Sequence, residues 1–261
     1  MIKLIASDLD GTLLLNGAQS LDEEYYELIS RITDMGVIFA ASSGRQYPNL
    51  KRLFGPVADK IAYICEDGAL VMYHDEIIFK SALEKKTAYD IMDDIYAMPN
   101  CEILLSGMNT SYLKPKNNEY LVRIRDIVKN NVVIMDRYEE VTEDFLKISV
   151  CDLSGIEHSR KHFEEKWSQI VETAVSGNLY LDFTVKGINK GAAIQAIQKR
   201  FGIDKKESAA FGDNFNDISM LQSVEYSYGM KNADEAVKKH CAYETDKVAD
   251  VLKGWIKNGF N

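Results

Sequence analysis

The sequence predicts an α/β fold, in which helices cover both faces of a parallel β-sheet, together with an additional α+β unit. Short, mostly apolar runs typical of buried strands alternate with segments of helical periodicity near both ends of the chain. Several of these runs end in polar or acidic residues beside a glycine, at the position where open α/β sheets bind their ligands. From Ser81 to about residue 185, short strands and helices follow each other in a different pattern.

The composition is that of a globular protein with no affinity for polyanions. The chain has 261 residues, enough for one large α/β domain or for a core with a smaller inserted domain. Its formal net charge of −9 argues against nucleic-acid or membrane-surface binding, because such binding favours basic patches. We therefore expect no nucleic-acid partner and no membrane partner.

The cysteines and the N-terminus predict a cytoplasmic protein. The four cysteines lie far apart without a Cys-x-x-Cys pair, which is typical of reduced, buried thiols. The N-terminal apolar run is interrupted by Asp8 and lacks a cleavage site, so it does not resemble a signal peptide. No apolar stretch approaches the length needed to span a membrane.

The first predicted strand, Ile2 to Ser7, leads directly into two carboxylates and a glycine. Asp8 and Asp10 are two residues apart, so on an extended strand their side chains could converge on one point. Two such carboxylates repel each other unless one is protonated or a cation lies between them, and Mg²⁺ prefers oxygen ligands of this kind. Gly11 permits the tight turn that follows. The alternative is an ordinary polar turn between a strand and a loop.

A helix and a second buried strand are predicted next. Ser20 is suited to cap the start of the helix, whose apolar face extends to Ile32, and Gly36 is suited to end it. The strand at residues 37–41 completes a βαβ unit, so its carboxyl end falls on the same sheet edge as Asp8.

Ser43, Gly44 and Arg45 follow this second strand. A serine hydroxyl and a glycine amide can both bind a phosphate oxygen. Ser43 could instead cap the helix predicted for residues 46–53. Arg45 could fix the loop instead of binding a substrate.

The remaining elements up to residue 185 are a third buried strand and a set of shorter strands and helices. The third strand, residues 62–65, precedes Glu66-Asp67-Gly68-Ala69 and a predicted β-hairpin. The hairpin strands are residues 70–73 and 77–80; further helices are predicted around 87–96, 121–128 and 156–167, and strands at 102–105, 145–151, 171–176 and 180–185. The last two strands are joined at Gly177-Asn178, which indicates a hairpin.

Lys190 is the most unusual residue in the C-terminal part of the chain, because it opens the predicted helix at residues 192–201. A lysine is unfavourable at a helix start, where the dipole prefers negative charge. A bound phosphate shared by the ammonium and the helix N-terminus would explain it. The alternative is a solvated surface lysine, the commonest situation for this residue type.

A cluster of polar residues follows the next predicted strand, residues 209–211. Asp213 stands at the strand end, where it could complete a metal site with Asp8 and Asp10. Asn216 and Asp217 stand at the start of the following helix, where they could contact phosphate or support the metal ligands. A further strand at 226–230 and helices at 231–241 and 245–256 complete the chain.

Four of these segments resemble, in order, the motifs of haloacid dehalogenase (HAD) superfamily phosphatases, in the Cof-type, subclass IIB form. They are Asp8-Leu9-Asp10-Gly11-Thr12-Leu13, Ser43-Gly44-Arg45, Asn189-Lys190-Gly191 and Gly212-Asp213-Asn214-Phe215-Asn216-Asp217. The resemblance implies that Asp8 is the nucleophile and Asp10 the general acid/base. One departure is Asp67, since the family usually carries Asn-Gly-Ala where this chain has Asp-Gly-Ala.

The resemblance also implies ligand contacts for the motif residues. Phosphate binding is expected of Leu9, Ser43, Gly44, Lys190 and Asn216. Mg²⁺ is expected to bind Asp8, Asp213 and the backbone carbonyl of Asp10. Asp217 and Arg45 are expected to support the ligating residues without binding the ion themselves.

The resemblance further predicts how the chain divides and what it does. We expect a Rossmann-like HAD core at residues 1–81 and 186–261, and an inserted α+β type IIB cap at residues 82–185. The predicted activity is Mg²⁺-dependent hydrolysis of small phosphomonoesters, such as sugar phosphates, by a monomer or weak homodimer. The alternatives are a phosphomutase that uses the same core residues and a catalytically inactive, ligand-binding relative.

Overall fold

The structure, a computed structural model, describes residues 1–260, and these form two compact units. The first unit comprises residues 1–45, residues 50–79 and the chain from residue 189 onwards. The second unit comprises residues 46–49 and 80–188.

Fourteen strands and nine α-helices are found in the described residues. The strands are β1 (Leu4–Ser7), β2 (Ile38–Ser42), β3 (Ala62–Cys65), β4 (Leu70–Tyr73), β5 (Glu76–Lys80), β6 (Cys101–Ser106), β7 (Ser111–Leu113), β8 (Val132–Ile134), β9 (Lys147–Asp152), β10 (Val171–Val175), β11 (Tyr180–Val185), β12 (Ser208–Gly212), β13 (Tyr226–Met230) and β14 (Tyr243–Thr245). The helices are α1 (Glu23–Asp34), α2 (Tyr47–Leu53), α3 (Lys85–Ala97), α4 (Asn118–Val122), α5 (Arg160–Trp167), α6 (Lys190–Phe201), α7 (Ile218–Gln222), α8 (Glu235–Lys238) and α9 (Val248–Asn258).

An eight-stranded sheet in the order β14-β13-β12-β1-β2-β3-β4-β5 forms the centre of the first unit. The strands from β14 to β3 are parallel, and β4 is antiparallel to β3. Leu4 and Ala6 of β1 pack in a cluster with residues of α6 and α7, while Ile5 points to the opposite face and is equally buried. Burial of both faces explains the short apolar runs in the sequence and confirms the predicted α/β fold with a parallel sheet.

Most helix positions in the first unit agree with the prediction, but three details do not. Helix α1 begins at Glu23 after an extended Asp22, so the prediction that Ser20 caps this helix is wrong. Residues 231–233 are not helical, since α8 is capped by the side chain of Asp234. The short edge strand β14 was not predicted.

The second unit contains a six-stranded sheet in the order β10-β11-β9-β6-β7-β8. Its pairs are antiparallel except for β7 and β8, and the predicted hairpin of β10 and β11 is confirmed. Ile148 and Phe183 belong to the main hydrophobic cluster, which includes Ile91 of α3 and Phe163 of α5. A smaller cluster around Leu113 includes residues of α4. This unit is therefore α+β.

Within residues 1–260, no helix combines the length and the apolar character that crossing a bilayer requires.

Candidate active site

Predicted site residues of the first unit follow three neighbouring parallel strands. Asp8 follows β1, Ser43 follows β2, and Asp213 follows β12. The backbone N–H of Asp8 still donates to the carbonyl of Phe211 at 2.9 Å, so the sheet ladder fixes this residue at the end of its strand. The carboxyl ends of parallel strands meet at one sheet edge, which explains why segments distant in sequence assemble here.

Lys190 is buried and joins two of the carboxylates. Its Nζ lies 2.6 Å from Oδ1 of Asp8 and 2.6 Å from Oδ1 of Asp217, and only 1% of its side chain is exposed. Burial alone would lower the pKa of Lys190, but the negative charges of Asp217, Asp8 and Asp67 outweigh burial and raise it. Lys190 is therefore a buried cation paired with two carboxylates, and the alternative of a solvated surface lysine is wrong.

Asp8, Asp213 and Asp217 form a cluster in which one oxygen from each carboxylate lies within 4.8 Å of the others. Burial, followed by the charge of Asp217, raises the pKa of Asp8 well above its usual value. Burial raises the pKa of Asp213 to about 6, opposed by a hydrogen bond from Thr12. Carboxylates crowded in this way are unfavourable without a compensating charge.

This cluster fits a magnesium ion by its donor chemistry and its charge. All of its donor atoms are carboxylate oxygens, the ligands that a hard cation prefers. With each group ionised, three carboxylates and the ammonium of Lys190 carry a formal charge of −3 + 1 = −2, which a divalent cation would balance. The predicted metal ligands are Asp8, Asp213 and Asp10, the last through its backbone carbonyl. The third carboxylate in the cluster is that of Asp217.

Neighbouring groups hold the cluster in place. The hydroxyl of Thr12 donates to Oδ1 of Asp213 at 2.9 Å, and Oδ2 of Asp217 accepts the backbone N–H groups of Asp213 and Asn214 at 3.0 Å each. Gly11 has φ +93°, and a Cβ atom there would lie 2.1 Å from Oδ2 of Asp213. Only glycine fits beside this carboxylate.

Sequence reasoning gave no role to two residues that support this loop. Thr12 belongs to the first motif, and its hydroxyl directly after the glycine of the turn is a signal from which this contact could have been predicted. Asn232 donates from Nδ2 to the carbonyl of Gly11 at 3.1 Å. No local pattern indicates this contact, because the two residues are 221 positions apart.

Asp10 lies in a different hydrogen-bond network from Asp8. Its side chain is 61% exposed and pairs with Arg45 through Nε–Oδ2 at 3.1 Å and Nη2–Oδ1 at 2.5 Å. The strand ends at Ser7 and the chain turns at once, so strand alternation does not carry Asp10 to the same point as Asp8. Arg45 could fix the loop or bind a substrate. Its contacts with Asp10 are contacts within the protein that hold this side chain in place.

Ser43 is buried and anchored through its backbone. Its N–H donates to the carbonyl of Ile64 at 2.9 Å, and its Oγ accepts the N–H of Arg45 at 3.3 Å. Helix α2 begins only at Tyr47, so the alternative that Ser43 caps this helix is wrong. Gly44 continues the same loop.

The two other predicted phosphate-binding residues have defined positions. Leu9 is fully buried, and its carbonyl accepts the N–H groups of Thr12 and Leu14 at 3.1 and 2.7 Å. Asn216 donates from Nδ2 to Oδ1 of Asp67 at 3.2 Å. The residue at which the chain departs from the family pattern thus contacts a predicted site residue.

Comparison with known proteins identifies the family to which the chain belongs. The family model described as haloacid dehalogenase-like hydrolase matches residues 5–253. The 5-amino-6-(5-phospho-D-ribitylamino)uracil phosphatase YbjI of Escherichia coli is 28% identical over 264 residues, covering 98% of this chain and 97% of that protein. The phosphatase YcsE of Bacillus subtilis, which bears the same substrate name, is 26% identical over 261 residues, covering 98% and 96%.

Solved structures share the fold over nearly the whole chain. A crystal structure from Eubacterium rectale has a TM-score of 0.86 and 29% identity, covering 97% of this chain and 99% of that one. The structure of a HAD subclass IIB sugar phosphatase has a TM-score of 0.83 over 99% of this chain and 100% of that one, and at 23% identity it shows the fold alone. The chain therefore belongs to the haloacid dehalogenase-like hydrolase family, as a phosphatase that hydrolyses phosphoric monoesters.

Proposed function

We propose that this phosphatase depends on Mg²⁺, acts on small phosphomonoesters such as sugar phosphates, and proceeds through an aspartyl-phosphate on Asp8. The observation that carries the proposal is the buried Lys190, which holds Asp8 and Asp217 at 2.6 Å each at the carboxyl end of the sheet. A buried ammonium between two carboxylates orients the Asp8 side chain and offers positive charge to a phosphoryl group.

In the first chemical step, a carboxylate oxygen of Asp8 attacks phosphorus while the bond from phosphorus to the leaving oxygen breaks. Asp10 gives its proton to that leaving oxygen. In the second step, Asp10 takes a proton from a water molecule, whose oxygen attacks the aspartyl-phosphate and releases inorganic phosphate. Asp8 is thereby regenerated.

The proton transfers require the pair of Asp10 and Arg45 to open. Both guanidinium contacts are made to the carboxylate oxygens that must carry the proton. We infer that Arg45 holds Asp10 in an orientation from which it can reach the leaving oxygen, and that the protonated state of Asp10 releases Arg45. Asp10 is exposed, so a substrate can approach it.

The magnesium ion would be held by Asp8, Asp213 and the backbone carbonyl of Asp10. When bound, it supplies a Lewis acid that offsets negative charge on the phosphoryl oxygens. Asp217 keeps the loop of Asp213 in place through two backbone N–H groups. Ser43, Gly44, Leu9 and Asn216 are proposed to bind the phosphoryl oxygens.

The second unit is proposed to act as the cap and to select the leaving group. Ile148 and Val150 of β9 face the main hydrophobic cluster, so Lys147 and Ser149 face the other side of that sheet. On that side Lys147 lies 3.4 Å from Asp182, and both are buried. Hydrogen-bonding groups of this kind suit a hydroxyl-rich leaving group, which agrees with the phosphoribityl substrate in the names of two relatives.

The deciding experiment is a single-turnover reaction with a ³²P-labelled sugar phosphate in Mg²⁺, quenched in acid. Wild-type protein is expected to carry acid-stable, hydroxylamine-sensitive label, whereas Asp8→Asn should carry none. Asp34→Asn, an exposed replacement on α1, is the matched control and should be labelled like wild type. Turnover by wild type without any labelled protein, or undiminished turnover by Asp8→Asn, would contradict the proposal.

A further inference from the structure

The loop after β3 has an unusual backbone. Glu66, Asp67 and Gly68 have φ values of +50°, +54° and +106° in succession, and both acidic residues are buried. Side chains rarely adopt this region, although aspartate and asparagine tolerate it best. A Cβ atom at Gly68 would lie 2.3 Å from the carbonyl oxygen of Asn189, so the loop passes directly against the residue that precedes Lys190.

Backbone hydrogen bonds tie this loop to the segment that follows β2. The N–H of Glu66 donates to the carbonyl of Arg45, and the N–H of Asp67 donates to the carbonyl of Ser43, each at 3.2 Å. Strained backbone persists only where surrounding contacts determine it, and here the contacts are made to predicted site residues.

The side chain of Asp67 reaches two further parts of the site. Its Oδ1 accepts a hydrogen bond from Nδ2 of Asn216 at 3.2 Å, and only 4% of the residue is exposed. Its charge also contributes to the raised pKa of Lys190, after the charges of Asp217 and Asp8. Asp67 is thus a further carboxylate near Lys190, in addition to Asp8, Asp213 and Asp217.

This further carboxylate changes the charge that an anion would meet. Asp8 and Asp217 contact Lys190 at 2.6 Å, and with Asp213 these ionised groups carry a formal charge of −3 + 1 = −2 before any cation binds. Asp67 adds another negative charge at low exposure, where solvent screens it weakly. The amide of an asparagine would make the same contact to Asn216 without that charge.

We propose that Asp67 is a positioning residue that orients Asn216 and, through its charge, weakens the binding of inorganic phosphate beside Lys190. The inference rests on the proposed function, because it concerns the phosphate product of the same site. Its consequence is that the product leaves readily, since release of a tightly held product often limits turnover in enzymes of this kind.

The test measures inorganic phosphate binding by isothermal titration calorimetry, in Mg²⁺, to wild type and to Asp67→Asn. Asparagine tolerates the left-handed backbone, keeps an oxygen for Asn216 and removes the negative charge. The Kd for phosphate is expected to fall about three- to tenfold, where tenfold corresponds to about 1.4 kcal/mol. The KM for a phosphomonoester should fall in the same direction, and kcat should not rise in proportion.

A second variant and a charge control accompany this measurement. Asp67→Ser also removes the charge and keeps an oxygen, so its Kd for phosphate is expected to fall by the same factor. Asp34→Asn changes the net charge equally at a side chain that is 64% exposed, and its phosphate Kd should equal that of wild type. Equal tightening in Asp34→Asn, or an unchanged Kd in folded Asp67→Asn and Asp67→Ser, would overturn the role of Asp67.

Failure of the proposed function can be distinguished from failure of the inference about Asp67. If wild type neither binds phosphate nor hydrolyses any phosphomonoester in Mg²⁺, the proposed function itself is wrong. If wild type binds phosphate and both Asp67 variants bind it with the wild-type Kd, the proposed function stands and the inference about Asp67 is wrong.

Discussion

Replacing Lys190 with methionine removes the cation that stabilises two buried carboxylates. Methionine retains the apolar stem of the side chain but leaves Asp8 and Asp217 without the ammonium that lies 2.6 Å from each. The side chain of Asp217 is fully buried, and that of Asp8 is 9% exposed, so water can replace little of the lost interaction. The variant should therefore be destabilised even though its packing volume is nearly unchanged.

The expected magnitude follows from the contacts that remain. Removing one partner of a buried ion pair costs about 3–5 kcal/mol of unfolding free energy. Asp217 keeps two backbone N–H donors, and Asp8 can take up a proton because its pKa is already raised. Both effects favour the lower end of that range, so we expect a loss of about 3 kcal/mol at pH 7 in chelator, and a smaller loss at pH 5.

Urea denaturation followed by tryptophan fluorescence measures this loss of unfolding free energy in the first unit, which contains Lys190. Trp255 lies in α9 of the first unit, with its ring 5.8 Å from that of Phe211, so its emission reports on that core. The double variant Lys190→Met/Asp217→Asn removes one of the two carboxylates that have lost their ammonium partner. Its loss of unfolding free energy should therefore be smaller than the sum of the losses of the two single variants. A Lys190→Met protein with the wild-type urea midpoint would refute the reasoning.

Three further predictions concern the loops that carry Asp10 and Asp213. Gly11→Ala should lower the affinity for Mg²⁺ at least tenfold by calorimetry, because the added Cβ would lie 2.1 Å from Oδ2 of Asp213; an unchanged affinity would contradict the close approach. Asp10→Asn should slow hydrolysis of an alkyl phosphate by about 10²–10⁴-fold while retaining more activity on p-nitrophenyl phosphate, whose leaving group needs no proton, and equal losses on both would argue against general acid catalysis. The pKa of Asp213 is raised from 3.8 to about 6, so the folded state binds this proton more tightly than the unfolded state does; its stabilising contribution is complete below pH ~4 and is lost as the pH rises through 6. Melting curves should therefore show Mg²⁺ raising the Tm more at pH 7 than at pH 5, and an equal shift at both would contradict the assignment.

The sequence was sufficient to predict the strand ends at which the site is built. Apolar runs that stop at Asp8, Ser43 and Asp213 are a local signal, and the rule for parallel sheets then places their ends together. The unfavourable position of Lys190 at a helix start also indicated that something compensates its charge. What compensates it could not be predicted, because its contact to Asp8 joins residues 182 positions apart.

The errors of the sequence analysis have a common physical origin in contacts that no local pattern reveals. Strand alternation predicts that Asp10 converges with Asp8, but the chain turns after Ser7 and the carboxylate of Asp10 pairs with Arg45. Capping preference predicts a helix start at Ser20, whereas Leu21 is buried, Asp22 is extended and the helix begins at Glu23. In both cases tertiary packing decided between locally acceptable conformations.

The central position of β1 in its sheet has a consequence for how the protein is made. β1 is synthesised about 200 residues before β12, which begins at Ser208 and is one of its two neighbours in the sheet. At about 5–20 residues per second, translation takes on the order of ten seconds or more to reach that neighbour. During this interval one edge of an apolar strand stays unpaired, so a nascent chain stalled before residue 208 carries a template for aggregation. Products of this chain truncated before residue 208 should accordingly depend on chaperones more strongly than the 261-residue chain does.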